Sequence, residues 1–526
     1  MGWLKRKAED ALRRNLPAGL FCVLLSLPAS LEGQRTARNA AALEELLQRA
    51  AVHVQTGQLT AAEGELQKAI LQAPGDVRAL TLLGGVLGMQ GRLDESSRFF
   101  EKVLKIDPGN QDARRNLAAN QLQLGQISAA RKNLEAILKS NPADRQAILM
   151  LGFACERAQE FRKAITYLEQ VPDLVREHPD HVAALARSYY RTGQVDKARL
   201  QLRRLQDSTA DPASAYLGVQ ISMEARDWDT AERTLDSIKS AYPRPVLVTY
   251  QRARIRYETG RYAECKSLLE PVANSPESNG TVLNLLAWCY LKGGDEGTAT
   301  RILSYATDTF PAEAANFIDL GKLCLKGNRL DRGLEVVQRG VSRHPSSGPL
   351  FELKGELESR QGLHAPAMES YRQAVQLSPR SSEALLGLAI AQTNLLQNKE
   401  AIASFEKGIR LFPREARFHA EYGKILLLPW ASGEIPESSA KAERLLRKAV
   451  QLDGSLLTAR FELGNLLVKS QRAEEALPHL EKAAELDPAN AQIRFVLARA
   501  YRALGRKEEY EREMLVFQKL EKSAGR

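Results

Sequence analysis

An all-α solenoid is the fold this sequence predicts, on three regularities: prolines 34 residues apart, small residues at fixed places between them, and apolar residues at helical spacing. Proline recurs at Pro74, Pro108 and Pro142, and again at Pro311, Pro345, Pro379 and Pro413. Counted from these, units begin near Leu43, Val77, Gln111, Arg145, Pro179, Pro212, Val246, Gly280, Ala314, Gly348, Ser382, Ala416, Leu457 and Ala491. That makes about fourteen repeats. A constant period of this length marks a stacked array in which each unit touches only its neighbours.

Each unit reads as two helices. Leu80, Leu83 and Leu87 form the apolar stripe of a first helix. Its end is marked by a glycine at the fifteenth position, as at Gly91, Gly125 and Gly193, since glycine enters the left-handed conformation freely. Proline closes the second helix, where continuation would lose a hydrogen bond and clash. Small residues fill the eighth position (Ala50, Gly84, Gly152, Gly321, Gly464) and the twentieth (Ala62, Ala130, Ala198, Ala401, Ala476), while large apolar ones fill the twenty-fourth (Leu66, Phe100, Leu168, Phe405). Two helices meeting at small residues can approach closely. The unit from Pro212 is poorly phased, with Gly218 one place early, and the unit from Ala416 carries an insertion, residues 428–436.

The ends differ from the array. Lys5, Arg6, Lys7, Arg13 and Arg14 precede an apolar run from Ala18 to Leu31, followed by Glu32, Gly33 and Gln34. A basic head, a short apolar run and a polar exit resemble an export signal. Residues 1–33 are therefore expected to be a signal peptide or N-terminal anchor, with a linker over 34–42, the solenoid over 43–505, and a charged capping helix and tail over 506–526. This places the protein in the periplasm or outside the cell, membrane-anchored if the segment is uncleaved. An ordinary N-terminal helix would leave it cytoplasmic.

Composition narrows the chemistry. Lys and Arg number 74 against 64 Asp and Glu, a net charge of +10 over 526 residues. So mild an excess favours acidic partners without implying nucleic acid, for which no base-reading or stacking motif is present. There is no glycine-rich phosphate loop, no His-Glu-x-x-His and no nucleophile elbow, so no enzyme and no cofactor are expected. His178 and His181 could grip a metal with Asp180, but Pro179 and Asp180 have ordinary helix-start roles there, and no metal is expected. Cys155 and Cys324 at eleventh positions and Cys265 at a twentieth are expected to be buried, as small hydrophobes. Cys289 and Cys324, on first helices of adjacent units, are the pair weighed for a disulfide.

The agreement of period, small positions, large positions and terminal proline resembles the tetratricopeptide repeat family over roughly residues 43–510. The resemblance implies a right-handed superhelix whose first helices line a concave groove through positions two, five, nine, twelve and thirteen. Those positions carry Phe153, Arg157, Arg187, Tyr190, Arg191, Tyr216, Tyr250, Arg254, Tyr257, Trp288, Lys292, Lys322 and Lys326, against fewer acids, Glu156, Asp180, Glu224 and Glu258. One reading is a site for an extended acidic or aromatic-containing peptide, since Arg and Tyr combine contact area with directed hydrogen bonds. Equally, these side chains can be the wetted edge of helix packing. The expected role is a protein-interaction scaffold; the alternative is a polysaccharide-associated export or assembly factor. Trp430, in the insertion, can be a hook for a partner or a plug over its own helix pair.

Overall fold

A computed structural model describes residues 31–207, 212–428 and 437–524. Among them the regular structure is helical, arranged as fourteen successive pairs. The chain divides into two compact units, residues 1–255 and 256–526, with the division inside the helix Pro245–Glu258. In the first unit the helix Val77–Met89 packs on Leu93–Ile106, and in the second Gly348–Arg360 packs on His364–Leu377 and Ala491–Ala503 on Lys507–Ala524.

Local chemistry explains where helices start. First helices such as Val77–Met89, Gln111–Gln123, Arg145–Arg157 and Gly280–Lys292 follow Asp76, Asn110, Asp144 and Asn279. Each of these side chains accepts a hydrogen bond from the backbone N–H three residues on, satisfying one of the orphan donors of the first turn. The turn to the second helix takes a left-handed residue, glycine at Gly91 (φ 81°) and arginine at Arg226 (φ 57°). The non-glycine turn carries a steric cost of roughly 1–2 kcal/mol that the packing on either side absorbs.

The small and large positions meet as a socket and a plug. A Cβ built on Gly84 would lie 2.9 Å from the Phe100 ring, one on Gly152 2.7 Å from Leu168, and one on Gly464 2.6 Å from Leu480. Each pair joins the eighth and twenty-fourth positions of one repeat. In the repeat with the insertion the partner of Gly423 is displaced along the chain to Leu446, 2.8 Å away, so the contact survives the added residues. In the repeat from Pro212, a Cβ built on Gly218 would meet only Leu202 and Leu205, at 3.9 Å; Val219 holds the eighth position, fully buried. The second helix of the repeat from Arg145 departs further, breaking into Phe161–Leu168 and Pro172–Arg176 around Pro172, with Val171, Leu174 and Val175 buried beneath the break.

Between repeats a second device recurs. Tyr189 donates to Glu169 over 2.6 Å and Tyr501 to Glu481 over 2.8 Å, and Tyr290 donates to Glu270. Each pair ties an eleventh-position tyrosine to the second helix of the preceding repeat, or at Glu169 to the residue just past its first segment, and a cation stands over each ring: Lys197, Arg506 and Lys266.

Three expectations are corrected. Cys289 pairs with Cys265, not Cys324: their Cα atoms are 6.5 Å apart, and Cys155 and Cys324 are buried free thiols. The reason is direction. Cys265 lies on a second helix packed on the following first helix, which Cys289 faces, whereas Cys324 turns inward to Gly333 on its own second helix. The linker expected over 34–42 lies within one continuous helix, Leu31–Gln55, where no proline interrupts the run of alanine and leucine. The location expected, periplasmic or secreted with an N-terminal membrane anchor if uncleaved, is corrected in its anchoring: no helix among the described residues is long and apolar enough to cross a membrane. Residues 1–30, which carry most of the expected signal, lie outside the described residues.

Two outcomes follow for stability. Gly152→Val forces a branched side chain into the space of Leu168 and is expected to cost about 1–3 kcal/mol, seen as a lowered urea midpoint; combining it with Leu168→Ala should give less than the sum of the single losses. Reducing the Cys265–Cys289 bridge, which spans a separation of 24 residues, is expected to remove about 3 kcal/mol from the second unit, measured by urea unfolding with and without reductant.

Candidate functional site

The thirteen side chains expected to line a groove fall in both units, eight in the first and five in the second. In the first unit, neighbouring first helices are joined through them. Arg187 pairs with Glu156 at 2.8 Å, Arg157 donates to the Leu122 carbonyl over 2.8 Å, and Gln251 donates to the Tyr216 hydroxyl over 2.7 Å. Such bonds from one first helix to the next place these residues on a shared face. Tyr216 is buried and stacked on Tyr242, and Phe153 packs its half-buried ring edge-on to His181. Tyr250 and Arg254 are half-buried. Arg157 and Arg191 are exposed, Arg191 with its guanidinium 6.0 Å from the centre of the Phe161 ring.

Where the repeats from Pro179 and Pro212 meet, this face opens into a cavity of about 530 Å³. Its walls come from the first helix Pro179–Arg191 (Arg187, Tyr190, Arg191), the second helix Val195–Asp207 (Val195, Arg199) and residues 221–229. The centre of its charge network is Asp227, which is buried. Arg199 grips it with two hydrogen bonds of 2.8 and 3.0 Å; the Tyr190 hydroxyl adds a third, of 2.8 Å. The same carboxylate caps the helix Trp228–Ile238 by accepting from the Thr230 N–H. Arg187 and Arg199 are thus engaged within the protein. Arg191 and Arg226, both exposed, make no ion pair among the described residues.

Arg187, Tyr190 and Arg191 of this site are among the first-helix residues expected from sequence, whereas Arg199, Arg226, Asp227 and Trp228 enter from a second helix and the following turn, outside those positions. The turn residue is a weak signal, since arginine at Arg226 is one of several replacements of the turn glycine, with Gln159, Asn328, Leu396 and Gln471.

In the second unit the surface changes sign along the chain. Trp288 donates its indole N–H to Asp319 over 2.8 Å, and Asn284 donates to the same carboxylate over 2.8 Å. Tyr257 lies edge-on to Tyr262; Lys292, Lys322 and Lys326 are exposed, with Lys326 3.5 Å from Glu296. On the helix Gly348–Arg360, positions five and nine are then acidic, Glu352 and Glu356. Burial, reinforced by the charges of Glu352 and Glu383, pushes the Glu356 carboxyl above its ordinary value. Beyond the basic and aromatic band expected over the repeats from Arg145 to Ala314, this helix thus carries acids at the same positions.

His181 is buried and donates from Nδ1 to the Leu174 carbonyl over 2.9 Å. Among the described residues no group of three or more His, Cys, Asp or Glu could hold a metal ion. Trp430, with residues 429–436 of its insertion, lies outside the described residues.

Two family models described as tetratricopeptide repeat match the chain, one over residues 87–152, 156–221 and 467–509 and the other over residues 47–111. Among curated relatives, the cellulose synthase operon protein C of Pseudomonas fluorescens is 24% identical over 464 residues, 83% of this chain and 33% of that protein. The CTR9 homologue of Arabidopsis thaliana is 23% identical over 343 residues, 61% of this chain and 31% of that protein. The chain thus spans about a third of the length of each. The solved structure of the APC/C hetero-tetramer Cut9-Hcn1 aligns over 91% of this chain and 93% of that one, at 14% identity and a TM-score of 0.39.

Asp227 gives the site a measurable pH signature. Burial favours its protonated form, but the hydrogen bonds from Arg199, Tyr190 and Thr230 outweigh burial and hold the carboxyl at about 2, below its ordinary 3.8. The ionised form is favoured by the fold, so its contribution is complete above pH 4 and disappears as pH falls towards 2. That difference corresponds to about 2 kcal/mol. Asp227→Asn is expected to lower the stability of the first unit by a similar amount at pH 7 and to flatten the acid limb between pH 4 and pH 2, measured by urea unfolding followed by circular dichroism.

Proposed function

The chain belongs to the tetratricopeptide repeat family, and from that we infer a non-catalytic scaffold that holds a protein or peptide partner on the face of its stacked first helices. The finer reading proposed is an extended acidic segment as ligand, taken by the first unit. The observation that supports it is the set of bonds running from one first helix to the next, Arg187 to Glu156 and Gln251 to Tyr216, which fixes a row of aromatic and guanidinium groups on one face. A row held in place before the ligand arrives loses little side-chain freedom on binding. Its arginines match carboxylates with paired hydrogen bonds.

A second reading is favoured by one observation, the similarity over 83% of the chain to the cellulose synthase operon protein C. On this reading Phe153, Tyr190 and Tyr250 would stack on the rings of a polysaccharide. Salt separates the two, because screening weakens a charged ligand and leaves a neutral glycan unaffected.

The test uses the full chain with a fluorescein-labelled acidic peptide and a labelled neutral cello-oligosaccharide. Arg191→Glu combined with Arg254→Glu is expected to weaken the acidic peptide at least about ten-fold, or about 1.4 kcal/mol, at unchanged helical content. Raising ionic strength from roughly 0.05 to 0.5 M is expected to weaken it further. Equal peptide affinity for the folded double variant and the parent discards the acidic-peptide reading; salt-insensitive binding of the oligosaccharide alone establishes the second.

A further inference from the structure

The helix Lys507–Ala524 is anchored by one face and leaves the opposite face open. On the anchored face Tyr510 packs on the buried cluster around Leu497, Glu513 pairs with Arg494 at 3.0 Å, and the Phe517 ring centre lies 5.3 Å from that of Phe495. The other side carries Glu508, Glu511, Leu515, Lys519 and Lys522, all exposed, Leu515 by 53%. Glu508, Lys519 and Lys522 make no ion pair among the described residues; Glu511 has the exposed Lys507 3.9 Å away. A single exposed leucine is ordinary on a protein surface. What distinguishes Leu515 is the order of charge about it: acids stand seven and four residues before it, and lysines four and seven residues after it. In a second copy lying antiparallel, Lys522 falls level with Glu508 and Lys519 with Glu511, about 10 Å and about 6 Å along the axis from the two leucines. Arg512 falls level with the uncharged Gln518, so no like charges meet. Met514 and Val516, half-buried on either flank, widen the apolar strip.

We propose that this face joins two copies of the chain as a two-fold dimer, with the helices antiparallel and in register at Leu515. A contact of this kind requires a patch that is its own complement under a two-fold rotation, and the charge order over residues 508–522 has that property. Exposed ion pairs contribute little each. The leucines and their apolar flanks therefore supply the attraction, while the charges fix direction and register. The inference does not depend on the acidic-peptide reading, because the face lies on a second helix, away from the first-helix row. Such a dimer would carry the partner-binding faces of two chains.

The experiment is sedimentation equilibrium of the full chain at low ionic strength, over roughly 2 to 200 µM, which brackets a micromolar dimer. The parent chain is expected to pass from monomer to dimer across that range. Leu515→Glu should weaken the dimer at least about ten-fold at unchanged helical content; Leu515→Ser serves if that variant does not fold. Glu508→Lys with Glu511→Lys, and separately Lys519→Glu with Lys522→Glu, should each be monomeric alone, since each then opposes like charges. Mixed in equal amounts, the two should pair. A parent chain that stays monomeric throughout overturns the proposal, and so does an undiminished dimer in the folded Leu515 variant. Failure of the two folded charge-reversed chains to pair on mixing overturns it as well.

Discussion

The contact between the eighth and twenty-fourth positions of a repeat is the constraint on which the rest of each unit depends. A missing Cβ at Gly84, Gly152 or Gly464 lets a Phe or Leu of the second helix lie against the backbone of the first. That sets the distance between the helices of a pair, and the distance sets which residues reach the next pair. The cost of disturbing it is steep because a packed interior has no spare volume. The insertion before Ser438 shows how strongly it is kept: the chain gains residues, yet Gly423 still closes on Leu446.

From that spacing the links between repeats follow. With pair geometry constant, an eleventh-position tyrosine falls beside a glutamate of the preceding second helix, as at Tyr189, Tyr290 and Tyr501. The same register brings Cys289 to Cys265. These links are polar or covalent, and directional in a way apolar packing is not, so they oppose sliding of one pair along the next. The tyrosines stay protonated under this arrangement: burial and the neighbouring glutamate push the Tyr501 hydroxyl up to about 12.

Pairing also decides which charges remain for a ligand. By count the first unit offers a row of arginines, but Arg187 and Arg199 are spent on Glu156 and Asp227. Asp227 illustrates the economy of the arrangement, since one carboxylate caps a helix, holds Arg199 and fixes the Tyr190 ring. Arg157 and Arg191 remain exposed at the surface. A net charge cannot distinguish spent from free cations; only the positions of the opposing acids can.

The period, the helix pairs and the small and large positions were legible in the amino-acid order, because each depends on neighbours within one repeat. Gly152 and Leu168 are sixteen residues apart, and their contact needs no information from elsewhere. The partner of Cys289 and the cavity below Tyr190 belong to the tertiary structure. Each depends on the angle at which one pair meets the next, and that angle is set by many side chains at once. A linear reading that samples first-helix positions cannot see Asp227 or Trp228 enter from the following turn. Repetition makes local geometry predictable; the irregular residues acquire their roles only where two repeats are packed together.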